Sequence, residues 1–150
     1  MEETQTFKVS STKEALKLLN KYRDKAKIIA GGTDLVIELR NHQIDPEVII
    51  DISSIGEIRY IREKEGYIHI GAGATFADIA YSELLDDRLE GLKKSSRLVG
   101  SPLIRNRGTI AGNICNGSPA ADTVPPLLSL DALLIVDFAY LEWFYQQRHF

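Results

Sequence analysis

A single cysteine, Cys115, stands in the 150 residues. One thiol forms no intrachain disulfide and cannot supply the several thiolates of an iron–sulfur cluster. The most economical role for Cys115 is that of a small buried thiol. The three histidines, His42, His69 and His149, are scattered without ligand spacing, so no metal site is expected. Positive charge is not in excess: 18 Lys and Arg face 21 Asp and Glu, for a net charge of −3, which argues against a broad nucleic-acid surface. No apolar run approaches the length of a membrane span. The N-terminus, Met1-Glu2-Glu3-Thr4-Gln5, has neither the basic region nor the apolar stretch of a secretory signal, which makes the cytoplasm the default compartment. The Gly-Lys-Ser/Thr ending of a P-loop is missing, as is the three-glycine dinucleotide fingerprint. Ser118 has no nearby His–Asp pair, so a nucleophilic triad finds no support. Internal repeats and low-complexity linkers are absent as well.

Hydrophobic residues at 44% and charged residues at 26% describe a folded chain long enough to bury a core. Its most informative segment is Ile28-Ile29-Ala30-Gly31-Gly32-Thr33-Asp34-Leu35. A β-branched run leads into two glycines and then into a helix-like stretch. Glycine lets the backbone turn sharply and approach a ligand closely. Backbone N–H groups at a helix start have no partner within the helix and can face phosphate oxygens. Asp34 has a plainer role open to it, as a helix cap contributing about 1 kcal/mol. A second such segment, Gly108-Thr109-Ile110-Ala111-Gly112-Asn113-Ile114, leads on to Ser118-Pro119-Ala120-Ala121-Asp122. Two cradles suit an extended diphosphate gripped from both sides. Arg105 and Arg107 either face that diphosphate or are solvent-facing loop charges.

The elements predicted around these segments are α/β in character. Thr6–Val9, Lys27–Ala30 and Glu47–Ile52 read as strands, the second of them buried, and the intervening helices favour parallel pairing. Ser11 and Glu14 have capping-box spacing, followed by an apolar face of Ala15, Leu18, Leu19 and Tyr22. Thr33 or Asp34 caps the next helix. Arg59–Arg62 and Tyr67–Ile70 alternate as half-exposed antiparallel strands around the turn Lys64-Glu65-Gly66. Thr75–Asp78 is another capping pattern. Residues 84–98 read as largely helical, anchored by Leu85, Leu89, Leu92 and Leu98. Pro125-Pro126 opens a helical run to Leu130, and Asp131–Val136 returns to strand.

Ala30-Gly31-Gly32-Thr33-Asp34 and the run from Ile104 to Asp122 resemble the two FAD motifs of the flavin subunit of molybdenum hydroxylases, most closely bacterial xanthine dehydrogenases. The resemblance spans about residues 5–136. It implies an α/β (α+β) FAD-binding fold of two subdomains: a small parallel α/β unit at 1–53, then a partial mixed or antiparallel sheet with helices at 54–136. Ile28, Ile29, Ala30, Gly31, Gly32, Thr33, Asp34 and Leu35 would wrap the pyrophosphate. Thr109, Ile110, Ala111, Gly112 and Asn113 would hold the diphosphate and ribityl region from the other side. Val99 and Gly100 would sit against the cofactor, and Asp122 would accept a hydrogen bond from it. The resemblance also implies partners, namely a molybdopterin-binding large subunit and a 2Fe-2S small subunit, with NAD as a possible electron acceptor. It gives this chain no general acid, base or nucleophile.

The last stretch, 137–150, breaks the pattern. Phe138, Tyr140, Trp143, Phe144, Tyr145 and Phe150 are half of the chain's Phe, Tyr and Trp residues. Subunits of the resembled family continue further, so this end is expected to be foreign sequence on a truncated frame, or else an aromatic tail that packs over the core. On the first reading the chain is a non-catalytic fragment or interaction module with an incomplete FAD site.

Overall fold

The computed structural model describes residues 4–136. Strands β1 (Gln5–Lys8), β2 (Ala26–Ile29) and β3 (Val48–Asp51) form a parallel sheet in the order β1-β3-β2. Each of the three strands expected here is present and parallel, with its ends shifted by one residue. Helix α1 (Thr12–Tyr22) begins as its spacing predicts, with Ser11 Oγ accepting from the N–H of Glu14 at 3.2 Å. The reciprocal bond goes one residue further back, from the N–H of Ser10 to Glu14 Oε2 at 3.1 Å. A carboxylate from far along the chain adds to this helix start. Glu57 Oε1 accepts from the N–H of Thr12 at 2.6 Å and from its hydroxyl at 2.7 Å, and those two bonds hold the Glu57 carboxyl below its ordinary range.

Val9, Ala15, Val48, Ile50 and Ile55 form the first core, lined by Leu18, Leu19, Tyr22 and Ile58. Strand β2 is not the buried strand expected. Ile28 shares a register row with Phe7 and Ile50. Tyr22 of α1 stacks on Phe7, with ring centroids 5.9 Å apart, whereas Ile28 at the opposite edge is left 45% exposed. The central position belongs to β3, which pairs on both sides.

Strands β4 (Ile61–Lys64) and β5 (Tyr67–Ile70) form an antiparallel hairpin. Its two turn residues, Glu65 and Gly66, both have positive φ, 54° and 79°, as a two-residue primed turn requires. The first strand starts at Ile61 rather than Arg59, because the carbonyls of Ile58 and Tyr60 bind the N–H groups of Gly73 and Gly71, each at 2.8 Å. Helices α2 (Leu35–Arg40), α3 (Phe76–Ala80), α4 (Glu90–Leu98), α5 (Pro102–Arg105), α6 (Ile110–Asn116) and α7 (Val124–Ser129) complete the described fold. The second core joins Ile79, Leu85, Leu92 and Ile110 to Ile61, Ile68, Ile70, Leu89, Ile114 and Leu127.

Three expectations fail here for geometric reasons. Leu98 is 69% exposed, because the buried stripe of α4 runs through Leu92 and Ser96 toward Val99, about a hundred degrees around the axis from Leu98. Residues 131–136 form no strand. Ala132 N–H closes the end of α7 on Leu127 O at 3.0 Å, and Leu133, Leu134 and Ile135 beyond it are exposed without a pairing edge among the described residues. Cys115 lies on the exposed side of α6 instead of in the core. The aromatic run at 137–150 lies outside the described residues.

Ser96 is fully buried, and its hydroxyl has no partner among the described residues. Ser96→Ala removes a desolvated group that returns no bond. It is expected to raise stability by about 1 kcal/mol, read as a higher melting temperature. A drop would show that the hydroxyl is engaged in solution.

Candidate functional site

The two glycine segments meet, although 76 residues separate Gly31 from Arg107. A Cβ on Gly31 would overlap the carbonyl oxygen of Arg107 and lie 2.6 Å from its carbonyl carbon and 3.0 Å from Gly108 Cα. From the same contact Arg107 Nε donates to Gly31 O at 3.1 Å. The side chains of Arg105 and Arg107 thus both hold backbone. Arg105 donates to Val99 O at 3.0 Å and to Gly100 O at 2.9 Å, fixing a turn in which Gly100 has φ +43°.

The first segment is rich in free donors. Gly32 has φ +73°, a conformation L side chains avoid. Its carbonyl accepts from Val36 N–H at 3.3 Å, opening α2. Asp34 stands at the N-cap position of α2 as expected, but its carboxylate accepts from Thr33 at 3.1 Å and neither side chain caps a backbone N–H. The N–H groups of Gly32, Thr33, Asp34 and Leu35 donate to nothing among the described residues. Four such groups in a row after a glycine turn offer unpaired, partly positive donors to an anion.

The second segment is built differently. Thr109 and Thr75 form an antiparallel bridge, flanked by Phe76 N–H to Gly108 O at 3.0 Å and Ile110 N–H to Ala74 O at 2.9 Å. Ala111 N–H reaches Ala72 O at 3.4 Å, and Gly112 N–H is capped by Thr109 Oγ1 at 3.1 Å. The first-turn donors of α6 are therefore already engaged. Gly108 is also a packing position, since a Cβ there would come within 2.7 Å of the Phe76 ring. This segment presents itself as a close-fitting wall, with the donors concentrated on the first loop.

Asn113 is fixed at the far end of this wall, where its Oδ1 accepts from the buried Thr123 hydroxyl at 2.6 Å. Asp122, next to Thr123, is exposed, and Thr123 stands at the start of α7. Val99 is buried and Gly100 exposed. Among the described residues no hydrogen bond ties Asp122, Val99 or Gly100 to the first loop.

One support of this arrangement was read from the sequence only as a capping pattern, without its Arg59 partner. Asp78 completes a capping box with Thr75 and takes both Nε and an Nη of Arg59 at 2.9 Å. Partial burial pushes its carboxyl up, but the bonds from Arg59 and Thr75 and the guanidinium charge outweigh that and hold it below the ordinary range. Because Thr75 is the bridge partner of Thr109, this ion pair anchors the wall. The small-residue run Gly71-Ala72-Gly73-Ala74 was the available signal for such a close approach.

No helix among the described residues is long and apolar enough to cross a membrane, and no group of three or more His, Cys, Asp or Glu there could hold a metal. Residues 2–140 match the model of the FAD binding domain in molybdopterin dehydrogenase. The chain is 42% identical over 138 residues to the nicotinate dehydrogenase FAD-subunit of Eubacterium barkeri, covering 91% of this chain and 47% of that one. It is 37% identical over 110 residues to the xanthine dehydrogenase FAD-binding subunit of Escherichia coli O157:H7, covering 73% of this chain and 38% of that one. The fold matches a chain of carbon monoxide dehydrogenase from Hydrogenophaga pseudoflava with a TM-score of 0.75 and 36% identity, over 78% of this chain and 41% of that one. The chain thus spans less than half the length of these relatives.

Proposed function

The chain belongs to the family of FAD-binding domains in molybdopterin dehydrogenases, and from that premise we propose that it holds FAD for a molybdenum-dependent dehydrogenase of the cytoplasm. The observation that supports this reading is the contact of Gly31 with Arg107 and Gly108, which sets a row of unpaired backbone donors beside a close-fitting wall. The first loop, Ile28 to Leu35, is assigned the diphosphate. Thr109 to Asn113 form the opposite side, Val99 and Gly100 a further contact, and Asp122 an acceptor for the cofactor. We read the two cores as two lobes, and the cofactor would lie across them.

Bound FAD supplies the redox chemistry, taking up and passing on electrons, while the chain binds, orients and shields it. The residues do fit this group: the backbone donors of the first loop are free, and the missing Cβ of Gly31 lets the Arg107–Gly108 backbone close up beside them. A molybdopterin-binding large subunit and a 2Fe-2S small subunit would deliver the electrons, and NAD or another acceptor would take them. The oxidised substrate would bind on the molybdenum subunit. A second reading, an interaction module with an incomplete flavin site, is favoured by the exposed apolar run of Leu133, Leu134, Ile135 and Val136.

The purified chain is expected to show flavin absorption bands, or to acquire them on titration with FAD at one per chain. A colourless chain that takes up no FAD would overturn the flavin reading and leave the interaction module.

A further inference from the structure

We propose that Arg107 is a positioning residue that locks the Gly31–Gly32 peptide in the orientation an anion requires. This rests on the reading of the first loop as the diphosphate site. Two glycines in succession give that peptide little steric resistance to flipping, because neither residue has a Cβ to restrict its dihedrals. A flip would turn a carbonyl dipole, instead of an N–H, toward a phosphate. In a trans peptide the C=O of one residue and the N–H of the next point in opposite directions. Arg107 Nε holds Gly31 O at 3.1 Å, so the N–H of Gly32 is turned away from Arg107. That N–H is one of the loop donors without a partner. The guanidinium thus acts through Gly31 on Gly32, and the packing of Gly31 against the Arg107 carbonyl keeps the two segments close enough for the bond to form.

The test uses the full chain labelled with ¹⁵N, comparing wild type, Arg107→Gln and Arg107→Lys. Amide signals of Gly31, Gly32 and Thr33 are recorded without ligand, and FAD affinity is measured by flavin fluorescence. With the lock lost in Arg107→Gln, the Gly32 amide signal should shift or broaden. FAD affinity should fall about tenfold, as for loss of one charge-assisted bond, with the melting curve unchanged. Arg107→Lys, which keeps a charged donor, should recover most of both. An unmoved Gly32 signal would overturn the lock. So would a general change of amide signals with a lowered melting temperature, which would make Arg107 merely part of the scaffold. If wild type takes up no FAD while the Gly32 signal alone responds to Arg107→Gln, the flavin reading fails and the lock stands.

Discussion

Gly31→Ala is expected to all but abolish flavin binding while leaving both cores folded. The added methyl group would overlap the Arg107 carbonyl, and backbone atoms cannot step aside as a flexible side chain can. The relief open to the molecule is to part the two glycine segments, which removes the wall and the Arg107 bond together. Over-packing of this kind costs up to about 3 kcal/mol, equivalent to roughly a hundredfold loss of affinity. The first core, around Ile50, and the second, around Ile79 and Leu92, are separate clusters and do not depend on that contact. Titration with FAD alongside thermal melting reads both halves of the expectation. FAD affinity equal to wild type would show that the meeting of the segments is irrelevant to the site. Gly32→Val acts differently, by placing a β-branched residue at φ +73° where its first carbon would lie 3.0 Å from Ile29 Cδ1.

The second large effect is expected from Asp78→Ala. That change removes three accepted hydrogen bonds, two from Arg59 and one from Thr75. Arg59 is more than half exposed, which reduces the ion pair's share. Loss of the cap and the paired charge together should cost about 2 kcal/mol, or roughly 6–8 °C in Tm. Asp78→Asn separates the charge from the shape. The Asp78 carboxyl is depressed in the fold, so its stabilisation is complete above the unfolded value of about 4 and is lost as pH falls through the lower folded value. Wild type should therefore lose melting temperature on acidification through that window faster than Asp78→Asn. Parallel acid limbs for the two proteins would show that the carboxylate charge contributes nothing.

Local patterns were legible in the sequence, and relations between distant elements were not. The parallel unit, the hairpin at Glu65-Gly66 and the caps at Ser11 and Thr75 follow from periodicity and turn chemistry within a few residues. Whether a strand is central or at an edge depends on sheet order, which explains why Ile28 was placed inside and lies half outside. Leu98 failed by a single step of helical phase, Val99 having the inward place. Both glycine segments were visible as text. Which of them keeps its donors free depends on Ala72 and Ala74, whose carbonyls engage the first turn of α6. The bonds Glu57–Thr12 and Arg107–Gly31 join residues that no local window contains.

The meeting of Gly31 with Arg107 also fixes an order of events during synthesis. The first parallel unit and its core are complete once residues up to Ile58 have left the ribosome. Its glycine loop then has donors but neither wall nor lock, since both arrive with Arg107 and Gly108. Contacts so distant in sequence form late, after the local ones. If the proposed site is right, cofactor loading belongs to the end of the folding sequence, and a nascent chain halted before Gly108 is expected to display the first motif without retaining a flavin.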